Sequence, residues 1–248
     1  MTTSPHFAGA LPRLARLAAP AACAIAAGLV ACPARATEVA DWHDVDTPMP
    51  DSTLQFGTRK LHLPPGHWTL VKRFDMRIST SHGEGVAVST AWAVRIEDDK
   101  FRMAVVLSLP NQRMMGLNRW GPDPCQRTRW QIYQHAVSSS AATPECISIE
   151  GFHAFMRSMR ATNPQVAQWF ETHTFDDADG LVHILYTKYY NATFGRLSVL
   201  LPIQSFESDA QAIGWADSLP GLLGPLLDGD GDDATLPEPA PAAPPGKP

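Results

Sequence analysis

Three consecutive stretches of period two, joined by short polar turns, constrain this chain more than any other feature. Over residues 67–79, Trp68, Leu70, Phe74, Met76 and Ile78 fall on one face and Thr69, Arg73, Asp75 and Arg77 on the other; only Lys72 interrupts the apolar side. His82-Gly83-Glu84-Gly85 turns the chain into residues 86–97, where Val86, Val88, Trp92, Val94 and Ile96 align. Glu97-Asp98-Asp99-Lys100 turns it again into residues 101–109, with Phe101, Met103, Val105, Leu107 and Leu109 on one side. Alternation at every second residue marks a half-buried strand. Strands joined by turns this short pair antiparallel, so a β-meander is expected.

The rest of the chain adds helices. Residues 59–63 alternate weakly and stop at Pro64-Pro65-Gly66, a turn signal. Residues 127–135 and 147–149 read as strands. Phe152, Phe155, Met156 and Met159 then follow the i, i+3, i+4, i+7 spacing of an amphipathic helix. Thr162-Asn163-Pro164 stops that helix and starts a second, with proline at its first position, running to about Thr172 with Val166, Trp169 and Phe170 inward. Residues 176–180 form a turn, and residues 181–190 and 197–203 a closing hairpin. A last helix begins near Ser208 as N-cap and carries Ala212, Ile213 and Trp215 towards Leu219, after which Pro220 and Pro225 break the pattern. The expected fold is α+β: an antiparallel β-meander sheet with two central helices and a C-terminal helix. The single domain spans residues 51–227. Residues 37–50 read as a tether, and the acidic, Pro/Ala-rich residues 228–248 as a disordered tail.

The first 36 residues carry the marks of export. Arg13 and Arg16 precede an apolar run over residues 17–30, which ends at Ala34-Arg35-Ala36, a small-x-small site for cleavage before Thr37. The run is too short for a permanent transmembrane helix. Leu29-Val30-Ala31-Cys32 resembles a bacterial lipobox, which would make Cys32 a lipidated N-terminus; simple cleavage, a lipid anchor and an uncleaved anchor all stay open. The Ala-rich run reads as bacterial, so the periplasm is the expected compartment, with an outer-membrane lipoprotein or a secreted protein as alternatives. Removing the leader leaves Cys125 and Cys146, an even pair that an oxidising compartment would join in one disulfide.

Composition excludes two classes and narrows a third. At 44% hydrophobic and 18% charged residues the chain belongs with globular proteins, not with disordered or membrane-embedded ones. Residues 100–160 hold eight Lys/Arg against three acids, net +5, whereas residues 171–248 hold twelve acids against three bases, net −9. The middle can meet an anion and the end cannot. Nucleic acid is not an expected partner, because a formal net charge of −5 lacks the basic footprint.

Within the basic middle, a strand over residues 127–135 would align Arg127, Arg129, Gln131, Tyr133 and His135 on one face, with Trp130 and Ile132 inward. Two guanidiniums backed by a Tyr and a His could hold a carboxylate, phosphate or sulfate; a solvated strand face is the alternative. Gly66-His67-Trp68 resembles the G-x-W signature that opens lipocalin barrels, which implies a Trp plugging an eight-stranded cup. A core Trp at a strand start accounts for it equally. Asp228-Gly229-Asp230-Gly231-Asp232-Asp233 imitates half a calcium loop but places Asp233 and Pro239 where glycine and glutamate are needed. No H-E-x-x-H or G-x-S-x-G occurs, and no cofactor or metal is implied. The expected function is a non-catalytic envelope module that binds a partner protein or an anionic ligand. The alternative is a periplasmic hydrolase assembled from distant residues, with His135, His183 and Asp179 as raw material.

Overall fold

A computed structural model describes residues 43–79, 85–110, 125–126, 128–140, 143–173, 180–190, 193–228 and 231–239. The chain divides into two units, residues 1–34 and 35–248, and every described residue lies in the second. The expected leader with its Ala36–Thr37 site, Cys32, Arg127, Asp179 and residues 240–248 lie outside the described residues.

The strands are β1 (His43–Met49), β2 (Thr53–Phe56), β3 (Arg59–His62), β4 (Trp68–Ser79), β5 (Gly85–Glu97), β6 (Lys100–Pro110), β7 (Gln131–Ser138), β8 (Glu145–Gly151), β9 (Leu181–Tyr190), β10 (Thr193–Pro202) and β11 (Asp233–Thr235). Helices α1 (Phe152–Thr162) and α2 (Pro164–Thr172) lie between β8 and β9, and α3 (Asp209–Asp228) follows β10. Eight strands form one antiparallel sheet in the order β1-β4-β5-β6-β10-β9-β8-β7, and β11-β3-β2 form a smaller one. The meander expected from the sequence is β4-β5-β6. Its second turn is a two-residue loop with both central residues, Asp98 (φ 52°) and Asp99 (φ 58°), left-handed, the turn whose twist matches a hairpin and which aspartate tolerates. The order of the large sheet is linear, with β1 and β7 at its rims, so the G-x-W resemblance does not extend to a barrel. Trp68 is a core residue whose Nε1 donates to the Pro64 carbonyl at 2.8 Å.

Each face of the large sheet has its own core. Leu107, Leu109, Ile147, Ile184, Leu197 and Val199 face Leu219, Leu223, Leu226 and Leu227 of α3 together with the small sheet. Trp92, Val94, Ala104, Val106 and Leu200 face Phe152, Phe155 and Met156 of α1 and Val166 and Phe170 of α2. A register shift between Leu70 and Lys72 explains why Lys72 interrupts the alternation of β4. The extra residue, Val71, switches faces: Trp68 and Leu70 join the α3 core, while Phe74 joins the α1–α2 core. Lys72 is thereby buried on the second face, and its Nζ donates to Gln165 Oε1 at 2.9 Å.

Three expectations at the chain ends are corrected. Residues 43–49, read as tether, form β1 and pair antiparallel with β4. A rim strand with one partner need not alternate, and Pro48 suits a rim because it has no N–H to offer. Helix α3 runs straight through Pro220 and Pro225 to Asp228. Each proline removes a helical hydrogen bond at a cost of about 3 kcal/mol, and burial of Leu219, Leu223, Leu226 and Leu227 offsets it. Residues 231–239 of the expected tail are ordered: β11 lies parallel to β3, Ala234 and Leu236 are buried, and Glu238 pairs with Arg95. Two apolar residues at the right spacing suffice where a ready strand edge supplies the hydrogen bonds. Arg95 is raised above its ordinary pKa by the hydrogen bond to Glu238, against the opposing effect of burial.

Candidate functional site

The Cys125–Cys146 disulfide, Cα–Cα 5.4 Å, ties the approach of β7 to β8 across 21 residues of sequence. Closing a loop of that length contributes about 3 kcal/mol in the chain-entropy account. What it steadies is the rim that holds the expected binding residues.

Those residues divide between two faces. Strand β7 starts at Gln131 instead of residue 127, and Arg129 and Trp130 occupy the turn before it. Its pairing with β8 slips twice, between Gln131 and Tyr133 and between Ala136 and Ser138, which leaves Ile132 and Val137 as extra residues. The first slip turns Tyr133 and His135 towards α3, opposite Ile149 and Ile147. There Tyr133 Oη donates to Asp217 at 2.9 Å and His135 Nδ1 lies 3.0 Å from the same carboxylate. Desolvation, and then the Asp217 hydrogen bond, hold the Tyr133 phenol above its usual pKa. An acid already satisfies both groups, so they do not present an anion site.

The guanidiniums converge elsewhere. Arg129 stacks on Trp130 at 4.3 Å from ring centroid to guanidinium carbon, and Arg157 of α1 does so at 4.0 Å. Neither arginine has an ion pair among the described residues. Trp130 and Ile132, expected inward, are 42% and 65% exposed, and Val137 is 40% exposed. The turn and the slip account for this, since one added residue inverts the faces of a strand. Arg157 was not found from sequence; it sits on the exposed side of an amphipathic helix, and no local spacing links it to Trp130.

A hydroxyl, an imidazole and a carboxylate do meet, but inside the sheet. His183 of β9 is 5% exposed. Its Nδ1 lies 2.8 Å from Glu150 Oε1 on β8, and its Nε2 is hydrogen-bonded to Ser198 Oγ on β10. The Phe155 ring packs over it at 4.7 Å. The set has the chemical order of a nucleophilic triad, yet its setting works against acyl transfer. Ser198 faces Val106 on one side and Leu185 on the other, in a strand paired along both edges, so nearby backbone N–H groups are committed to the ladder and cannot form an oxyanion hole. Ser198 and Glu150 were missed because they meet His183 only through strand register. His135 pairs with Asp217, so the two histidines considered for hydrolysis lie on opposite faces.

A second buried network lies on the α3 side. Tyr186 Oη donates to Glu145 Oε1 at 2.6 Å, and Lys188 Nζ lies 2.8 Å from Asp228 Oδ2 and 3.6 Å from Glu145. Burial, reinforced by Glu145, pushes the Tyr186 phenol far up. For Lys188 burial works against the ammonium, but the hydrogen bond to Asp228 and the Glu145 charge outweigh it and its pKa is raised. Among the described residues no group of three or more His, Cys, Asp or Glu is placed to hold a metal ion. Asp228, the first residue of the calcium-like run, is occupied by Lys188, and Asp233 faces His62 at 3.5 Å.

One cleft of about 430 Å³ opens where β1 and β4 meet the small sheet, lined by residues that include Met49, Leu70, Lys60 and His62. No family model matches the chain, and neither a curated protein nor a solved structure matches it.

Proposed function

We propose that this is an exported envelope protein that works by binding, holding a partner protein or an envelope ligand through an anionic group at Trp130, Arg129 and Arg157. The observation that carries this reading is the pair of guanidiniums stacked on an exposed Trp, without ion partners among the described residues. Stacking fixes the direction of a guanidinium while its donors stay open, which favours two-pronged contact with a carboxylate or phosphate. Ile132 and Val137 place apolar surface on the same strand, and a fixed cation beside apolar surface is the composition of a binding hot spot. The test is capture from an envelope extract by the mature, oxidised protein. The Arg129→Ala/Arg157→Ala variant should lose what the wild type retains, with the fold unchanged by circular dichroism; equal capture by both removes this site.

A hydrolase remains as second reading on the strength of Ser198, His183 and Glu150 alone. It requires α1 to move off the sheet so that the hydroxyl meets substrate. Covalent labelling by a fluorophosphonate, abolished in Ser198→Ala, would establish it; no labelling leaves the binding reading in place.

A further inference from the structure

The cleft between β1 and the small sheet lies at the opposite rim from β7. Seven strand spacings separate the two rims, roughly 30 Å, so the cleft is a different place from the Trp130 group. Its size, about 430 Å³, falls within the range of small-molecule sites.

Strands β2 and β3 of the small sheet make its polar wall. Leu54, Phe56 and Leu61 point into the core, and alternation sends Thr53, Gln55, Lys60 and His62 to the other side, where the register sets Thr53 opposite His62 and Gln55 opposite Lys60. Met49 of β1 and Leu70 of β4 supply an apolar wall.

Hydrogen-bond accounting on the polar wall leaves one charged donor over. The Thr53 hydroxyl donates to the Asp51 carbonyl at 2.8 Å, so its oxygen receives the Nδ1–H of His62 at 3.1 Å. His62 Nε2 faces Asp233 at 3.5 Å. Gln55 Nε2 donates to the Gly57 carbonyl at 3.0 Å. Lys60 makes no side-chain hydrogen bond or ion pair among the described residues, and its ammonium is the wall's remaining strong donor. Asp51 also lines the cleft, is exposed, and does not pair with Lys60.

The geometry points to a binding site for a small amphipathic carboxylate, its acid group on Lys60 and its aliphatic part against Met49 and Leu70. The shape of the ligand follows from the two walls: a single cation on one, hydrocarbon on the other. Asp51 disfavours a second negative charge, which sets a monocarboxylate apart from a dicarboxylate or a phosphate.

Octanoate is the probe, added to the mature oxidised protein and followed by isothermal calorimetry and by amide chemical shifts. Saturable binding is expected, with shifts confined to β1–β4. Octanol and octylamine should bind at least tenfold more weakly, and Lys60→Met should weaken octanoate by a similar factor, the value of a charged hydrogen bond. Met keeps the stem of the side chain, so a folded variant isolates the charge. No saturation below about 10 mM, equal binding of octanol, or undiminished binding to Lys60→Met would each overturn the site. Arg129→Ala/Arg157→Ala should leave octanoate binding intact, which separates failure here from failure at Trp130.

Discussion

The two faces of the large sheet are covered alike by helices, but they handle polar groups in opposite ways. Under α3 the interior is mainly aliphatic, and its polar network, Tyr186 with Glu145, Lys188 and Asp228, is gathered where the end of α3 meets β8 and β9. Under α1 and α2 the interior is richer in rings, with Phe155 and Phe170 in contact with each other and each with Trp92 and Phe152. There the polar groups sit among the rings: His183 between Glu150 and Ser198, Lys72 on Gln165, and Thr90 against Ser108. Aliphatic burial is non-directional and scales with area, whereas rings and buried hydrogen bonds require particular angles. The α3 face therefore carries stability, and the other face carries the exact placement of β8, β9 and β10.

The largest effects should come from the α3 face. Leu226 is fully buried there, and Leu226→Ala should cost about 3 kcal/mol, since a stiff aliphatic core collapses poorly around a void. Urea unfolding measures it, and a loss under about 1 kcal/mol would mean that α3 is not the main prop. Gly195→Ala tests the same contact from the sheet side, because a Cβ there would lie 2.6 Å from Leu227 Cδ2. Overpacking of this kind costs about 1–3 kcal/mol.

On the opposite face His183→Ala should cost about 2 kcal/mol, because Glu150 and Ser198 keep their burial and lose their partner. The comparison sharpens in the triple variant His183→Leu/Glu150→Leu/Ser198→Ala. Replacing all partners by apolar groups is near neutral when a polar set specifies geometry without adding net stability. Recovery of most of the loss supports the contrast between the faces, and an equal or larger loss refutes it.

What could be read from the sequence follows the same division. The meander was legible because β4, β5 and β6 turn an apolar side to a core, and α1 because Phe152, Phe155 and Met156 repeat at helical spacing. The disulfide followed from the count of cysteines left once residues 1–36 are set aside as the expected leader. Elements held by backbone pairing were not legible: β1 and β11 are short strands at edges, where hydrogen bonds to β4 and β3 do what side-chain pattern does elsewhere. Single-residue slips were invisible as well, and one of them, at Ile132, separates Tyr133 and His135 from Arg129. The middle of the chain reads as basic and its end as acidic, and folding brings the two together, since Asp217 meets His135. The cleft at Lys60 is built from four consecutive strands, but only their pairing brings its residues together, and no local motif announces it.

A third, smaller effect depends on pH. In the unfolded chain Tyr186 ionises near pH 10, whereas in the fold burial and Glu145 keep its proton to higher pH. The folded state thus holds more protons above that point, and stability is complete below about pH 10 and declines as pH rises. Lys188, also raised, adds to the decline in the same direction. The limiting slope is about 1.4 kcal/mol per pH unit for one proton. Between about pH 9 and about pH 11, Tyr186→Phe should lose less stability than the wild type; parallel curves would show that this network does not govern alkaline unfolding.

The smallest effect is expected at the rim, where Asp217 holds Tyr133 and His135 in water. Its partner His135 has a side chain about half exposed, and Asp217 a third. Solvent screens such a pair, and its loss typically costs about 0.2–1 kcal/mol, so Asp217→Asn should leave thermal stability nearly unchanged. The phenol of Tyr133 should move back towards its usual pKa, because after desolvation the other two causes of its elevation, a hydrogen bond and a negative charge, both come from Asp217. Absorbance titration reads that shift independently of stability. If Asp217→Asn instead unfolds the protein as readily as Leu226→Ala does, the rim is part of the α3 prop, and the distinction between a structural face and an accessible β7 rim fails. A small loss with a displaced phenol titration places Tyr133 and His135 at the surface, where removing the acid leaves their donors open to an incoming anion.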